Sequence, residues 1–130
     1  MILADTSLWI EFLRANSVFH LPFQRELERG NIVGVECAFG ELLQGAKGRR
    51  EIDIIQEYWK SIPKKDETGL WLEAGRFSSE EKWFAKGIGL IDAFLICFAK
   101  RHRLKVWTLD KKLSSVLPPK LRFHDFDYSQ

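Results

Sequence analysis

The sequence has little cysteine, no long apolar run and no marked charge of either sign, and each shortage removes a class of function. Its two cysteines, Cys37 and Cys97, stand far apart among apolar neighbours. No C-x-x-C or Cys/His metal spacing exists, which argues against a structural zinc site. His20, His102 and His124 are scattered and do not pair with the cysteines. The expectation is two small buried thiols in a reduced, cytoplasmic protein. No basic stretch precedes an apolar run at the N-terminus, so no secretory signal is expected. The longest nearly apolar run, Ile88 to Ala99, contains Asp92 and is too short to span a bilayer, so no membrane partner is expected. There is no glycine loop ending in Lys-Ser or Lys-Thr, and no G-x-G-x-x-G after a strand. Ser7 has no histidine close in sequence, which leaves no case for a Ser/His/Asp triad. The 20 Lys and Arg against 18 Asp and Glu leave a net charge of +2. That balance permits nucleic-acid binding without demanding it.

What is present is a globular composition. Hydrophobic residues make up 45% and charged residues 29% of 130, which excludes a disordered chain. One domain over residues 1–130 is expected, and a domain of that size buries about two-thirds of its unfolded surface. Ten Phe and five Trp supply bulk for its core.

Met1–Ala4 reads as a short buried strand, after which Thr6 or Ser7 can cap a helix through Leu8–Leu13. Pro22 suits the first turn of a second helix ending at Gly30. Ile32–Val35 reads as a second strand. A helix through Glu41–Leu43 frays at Gly45 and Gly48. Glu51–Trp59 is amphipathic, and Pro63 stops it. Glu67 to Lys86 reads as one helix closed by Gly87, or as two, because Ser78-Ser79-Glu80-Glu81 has capping-box spacing. Ile91–Arg103 is a strongly apolar helix. Lys105–Thr108 is a third strand, and a last short strand is expected around Leu121–Phe123 after Pro118-Pro119. Short apolar strands alternating with helices predict an α/β fold with a parallel sheet covered on both faces. In such sheets the ligand site lies beyond the carboxyl ends of the strands.

Acidic residues recur at those ends. Asp5 follows the first strand, Glu41 lies in the helix after the second, and Asp110 follows Thr108-Leu109. Asp92 interrupts an otherwise apolar helix start. Each has an ordinary explanation taken alone: Asp5 and Asp92 as helix caps, Asp110 as a turn residue, Glu41 as a solvated helix position. A charge as enclosed as Asp92 is nevertheless costly unless it is paired or bound to a metal. Cys37 and Ala38 one turn before Glu41, and Gly45 one turn after, leave room beside its carboxylate. The topology would gather all four acids at one edge of the sheet, where they would raise one another's pKa. A divalent cation relieves that repulsion, and all-oxygen ligands suit Mg²⁺ or Mn²⁺. The chemistry to expect is metal-assisted phosphodiester hydrolysis, with one carboxylate as general base or water-positioning group.

The matching stretches are Ile2–Ile10, Gly40–Gly45, Gly89–Ile96 and Thr108-Leu109-Asp110. In their order and spacing the chain resembles a PIN domain, specifically a VapC-type toxin ribonuclease of a type II toxin–antitoxin pair. The resemblance covers nearly the whole chain. It implies an α/β/α sandwich with a short central parallel sheet. It also implies a metal and catalytic set of Asp5, Glu41, Asp92 and Asp110 holding Mg²⁺ or Mn²⁺. Endonucleolytic cleavage of RNA, a homodimer, and a cognate antitoxin whose tail covers the acidic pocket follow from it. Thr6, Ser7 and Thr108 match accessory hydroxyls that orient carboxylates or water. Where the family often has a further acidic or polar residue and then Phe, this sequence has Lys112 and Leu113. Lys112 is either a solvated lysine or a cation beside the scissile phosphate.

Arg14, Lys47, Arg49, Arg50, Lys86, Lys111 and Lys112 could neutralise RNA phosphates, although surface solubility explains most of them. Trp9, Phe12 and Trp107 read as core, and Lys82-Trp83-Phe84 as core or as a dimer or antitoxin surface. Two further readings stay open. One is a PIN-like module that holds RNA or protein without cutting. The other is a metal-dependent nuclease or phosphatase with another substrate.

Overall fold

The computed structural model describes residues 1–15 and 18–124. Three strands form one parallel sheet in the order β2-β1-β3: β1 is Ile2–Ala4, β2 is Ile32–Val33 and β3 is Lys105–Trp107. Ile2 pairs with Ile32 on one side and Lys105 on the other, and Ala4 pairs with Trp107. All three β1 residues are buried, as expected of a parallel strand covered on both faces.

The helices are α1 (Thr6–Leu13), α2 (His20–Glu28), α3 (Glu36–Gln44), α4 (Arg49–Ser61), α5 (Leu70–Glu81), α6 (Leu90–His102) and α7 (Lys111–Val116). Alternation along the strands sends side chains into two cores. Leu3, Val33 and Val106 face α5, α6 and α7, packing with Leu70, Phe94, Phe98 and Leu113. Ile2, Ala4, Ile32 and Trp107 face α1 to α4, packing with Trp9, Phe12, Phe23, Phe39 and Ile55. Trp9 is the hub of the second core, with ring centroids 4.8 Å from Phe23 and 4.9 Å from Phe39, both edge-on. Such pairs contribute about 0.5–1.5 kcal/mol each beyond their area. The expected α/β/α layering is therefore present, and Trp9, Phe12 and Trp107 are core residues.

Several local expectations are corrected. The cap of α1 is Asp5, whose side chain accepts the Leu8 N–H, rather than Thr6 or Ser7. β2 stops at Val33 because Gly34 turns to the segment after α4, donating its N–H to the Pro63 carbonyl at 2.8 Å. A Cβ at Gly34 would lie 2.6 Å from Ile62 Cδ1 and 3.0 Å from the Trp59 ring, so any larger residue requires those side chains to shift.

The 67–86 stretch breaks at Lys82, which takes a left-handed φ of 57°. The Trp83 N–H then reaches back to the Ser78 carbonyl, and Trp83 enters the core. Ser78–Glu81 thus end α5 rather than start a helix. Phe84 is 86% exposed in a short 3₁₀ turn, Phe84–Lys86, closed by Gly87. No strand forms at Leu121–Phe123. Pro119–Leu121 is a 3₁₀ turn, and Arg122 makes a single bridge to Val106. The two prolines carry no N–H for a ladder, so pairing begins only past them.

Candidate active site

Asp5 leaves β1 at the centre of the sheet and is 6% exposed. One oxygen, Oδ1, accepts from the Leu8 N–H and from the Ser7 hydroxyl at 2.5 Å. The other, Oδ2, accepts from the Thr108 hydroxyl. Both hydroxyl oxygens accept in turn from the backbone leaving β3: Ser7 from Leu109 N–H at 3.2 Å and Thr108 from Asp110 N–H at 2.9 Å. Burial pushes the Asp5 carboxyl above its ordinary pKa, although these hydrogen bonds pull the other way.

Asp110 caps α7 through Oδ1, which accepts the Lys112 N–H at 2.9 Å and the Leu113 N–H at 3.4 Å. The cap explanation is therefore correct for Asp5 and not for Asp92, since α6 is capped by Gly89 with no side-chain hydrogen bond, while Asp110, read as a turn residue, is itself a cap; neither cap role removes its acid from the site. Glu41 projects from α3 on the exposed side, where the Thr6 hydroxyl donates to Oε1 at 2.6 Å. Asp92 stands in the first turn of α6. Its carboxyl is pushed up to about 6, first by burial and then by the charges of Asp110, Asp5 and Glu41. No contribution pulls it down, so its field is set by like charges.

Asp5, Glu41, Asp92 and Asp110 all line one concavity of about 460 Å³, with Thr6, Ser7 and the Gly89–Ile91 segment completing the wall. The three hydroxyls expected to be accessory orient carboxylates: two hold Asp5 and one holds Glu41. The donor set is oxygen-only and anionic, which fits a hard divalent cation in charge and softness. The side chains are not drawn to coordination spacing, however. Among the described residues no three His, Cys, Asp or Glu form a group close enough to hold an ion. The carboxylates of Asp5, Glu41 and Asp110 are each turned to their own hydroxyl or N–H donors.

Of the cations noted in the sequence, Arg14 and Lys47 line a second concavity of about 540 Å³, which shares Glu41 with the first. Its other walls include the aliphatic Ile10, Leu13, Ile54 and Ile55, with a further carboxylate from Glu51. Sequence reasoning missed this groove, because it joins α1, α3 and α4, whose exposed aliphatics look like ordinary surface residues one at a time. Arg49 pairs instead with Asp53 along α4 at 3.3 Å. Cys37, half-buried near Glu67 and Glu41, has its thiol pushed up to about 12, mainly by burial, and is chemically quiet. Among the described residues, no helix is long and apolar enough to cross a membrane.

A search of the curated proteins finds no match. PIN domains are generally nucleases and typically use divalent metals, and a model of that family, the PIN domain, matches residues 2–116. The match spans β1 through α7 and takes in every acid on the concavity. On that match, and on the three-stranded parallel sheet flanked by helices, the chain belongs to the PIN-domain family.

Proposed function

We propose that this protein is a Mg²⁺- or Mn²⁺-dependent endoribonuclease, the VapC-type toxin of a type II toxin–antitoxin pair. Asp5, Glu41, Asp92 and Asp110 are its metal ligands and catalytic residues in this reading. The observation that carries it is the meeting of four carboxylates from four chain segments in one concavity, where burial first, and then the charges of the other three, hold the Asp92 carboxyl near 6. A structural role alone does not explain why a fold would tolerate that cost.

A bound divalent cation supplies an acidified water and neutralises charge on the phosphate. The chain's own residues do the rest. Ser7 and Thr108 fix Asp5 in one orientation, so that its carboxylate does not reorganise when substrate arrives. Thr6 holds Glu41 at the open side of the concavity, where RNA must enter. One carboxylate accepts a proton from the water that attacks phosphorus, and the P–O bond to the leaving sugar oxygen breaks.

The partners follow from the resemblance: RNA as substrate, a second copy as dimer mate, and an antitoxin tail over the acidic concavity. The test is cleavage of a mixed RNA pool in Mg²⁺, in Mn²⁺ and in EDTA, beside Asp92→Asn. The reading predicts metal-dependent cutting that the variant lacks. Equal cutting by the variant, or in EDTA, would sink it.

One observation favours a second reading, a PIN-like module that binds RNA without cutting: the acids are not at coordination spacing. Folded protein that binds the RNA pool and leaves it intact in both metals would establish that alternative.

A further inference from the structure

The acidic concavity does not stand alone. Glu41 lines both it and the groove between α1, α3 and α4, so the two hollows meet at that carboxylate. Helical spacing gives the groove its direction. On α1, Thr6 lies beside the acids, Ile10 is one turn on and Arg14, the cap residue, is a second turn on. On α3, Gly45 follows Glu41 by one turn. Eight helical residues advance about 12 Å, so the groove leads about that far from the acids. Its volume of about 540 Å³ lies in the usual range of small-ligand pockets, about 300–1,000 Å³.

The walls are apolar and partly bare. Leu42 and Ile55 line the groove from the core, whereas Ile10 and Ile54 are each 40% exposed. Its charges are not equally available. Glu51 is turned to the backbone, where its Oε1 accepts the Lys47 N–H at 3.1 Å. Arg14 pairs with Glu11 at 3.4 Å, an exposed pair worth little. Lys47 lines the groove without such a pair: among the described residues no carboxylate lies within ion-pair distance of its ammonium. A ligand that suits these walls has a flat apolar body and an anion, and it continues over the acids at Glu41. In an RNA substrate that ligand is a single nucleotide. An apolar helix face from another protein would leave the ammonium unanswered.

We propose that this groove is the subsite for the nucleotide next to the scissile phosphate, its base packed on Ile10 and Ile54 and its own phosphate on Lys47. This rests on the nuclease reading above. Aliphatic walls meet a base by its faces and its size rather than by its hydrogen-bonding edges, so the groove sets a base preference beside the cut, while Lys47 binds every sequence alike. These are specificity and positioning residues, because none of them touches the reacting atoms.

The test uses the full chain. A random-sequence RNA pool is cut in Mg²⁺ and the new ends are mapped. The parent chain is expected to show a base preference at one position flanking the cut. Ile10→Ala combined with Ile54→Ala is expected to flatten that preference and to raise KM about fivefold. Both side chains are exposed enough that the fold should survive, which the melting temperature checks. Lys47→Met is expected to raise KM about fivefold with the preference kept, and Lys47→Arg to restore KM. Lys60→Met, which removes an exposed lysine at the far end of α4, should change neither. A preference and a KM unchanged in both the paired alanine variant and Lys47→Met would overturn the proposal and leave the nuclease reading intact. If the parent chain leaves the pool uncut, anisotropy of a fluorescein-labelled mixed-sequence RNA decides. Weaker binding by both groove variants, with a slope of log affinity against log salt shallower by about 0.7 in Lys47→Met, would overturn the nuclease reading and keep the subsite. Binding that ignores the groove variants, or no binding of RNA, would then overturn both.

Discussion

The Thr108 hydroxyl donates to Asp5 across 103 positions of sequence, joining the carboxyl ends of β3 and β1. The same oxygen accepts the Asp110 N–H, so one hydroxyl locks two acids in register. Thr108→Val keeps the shape and removes both roles. The buried Asp5 carboxylate then loses a donor, which costs about 1–3 kcal/mol of stability. Mg²⁺ affinity is expected to fall about tenfold or more, as when an outer hydrogen bond to a metal ligand is removed. Urea denaturation and titration calorimetry would check the two effects separately, and an unchanged Mg²⁺ affinity would show that Thr108 serves the fold alone.

Thr6 plays a lighter version of that role for Glu41. The contact is exposed, so Thr6→Val should leave the melting temperature nearly unchanged. Cleavage of the RNA pool should nonetheless fall about tenfold in kcat, because Glu41 then samples several rotamers. A loss of stability without a loss of rate would contradict the positioning role.

The Asp92 carboxyl, held up at about 6, keeps its proton in the folded protein above the pH at which the unfolded chain, near 3.8, has released it. The folded state binds more protons in that window, so the stability of metal-free protein falls as pH rises from 3.8 to about 6. Asp5, also raised by burial, adds to the same slope. Thermal unfolding in EDTA should show the decline, and Asp92→Asn should flatten it while raising the melting temperature above that window. Mg²⁺ should stabilise the parent chain more at about pH 7.5 than at about pH 4.5, where protons compete for the same oxygens. A parent chain and variant with identical pH profiles would refute the assigned electrostatics.

Gly34→Ala is expected to destabilise by about 1–3 kcal/mol through overpacking against Ile62 and Trp59. Urea denaturation would measure it. The damage should be chiefly to stability, since of the four acids only Glu41, in α3, belongs to the segment that follows Gly34.

How much of this was legible in the sequence depends on whether local or distant partners decide each element. β1, β3 and α6 are legible because their apolar runs end abruptly at Asp5, Thr108 and Arg103. The four acids are legible for a related reason: each stands beside such an ending or interrupts an apolar run. The end of α5 was hidden. Left-handed closure is usually signalled by glycine, and here Lys82 adopts it because Trp83 gains a buried place. The missing strand at Leu121–Phe123 was hidden because its pairing depends on how far Pro118-Pro119 hold the backbone from Val106.

The strand order has a consequence in time as well as in space. β1 sits between β2 and β3, yet a ribosome delivers it first and its β3 neighbour roughly a hundred residues later. At ordinary elongation rates the interval is on the order of ten seconds. During it Asp5 lacks the Thr108 hydroxyl, Asp92 has not met Asp110, and the sheet has one open side. The acid cluster therefore comes into being only after β3 and Asp110 have been made, and any hydrolysis it performs waits for that segment.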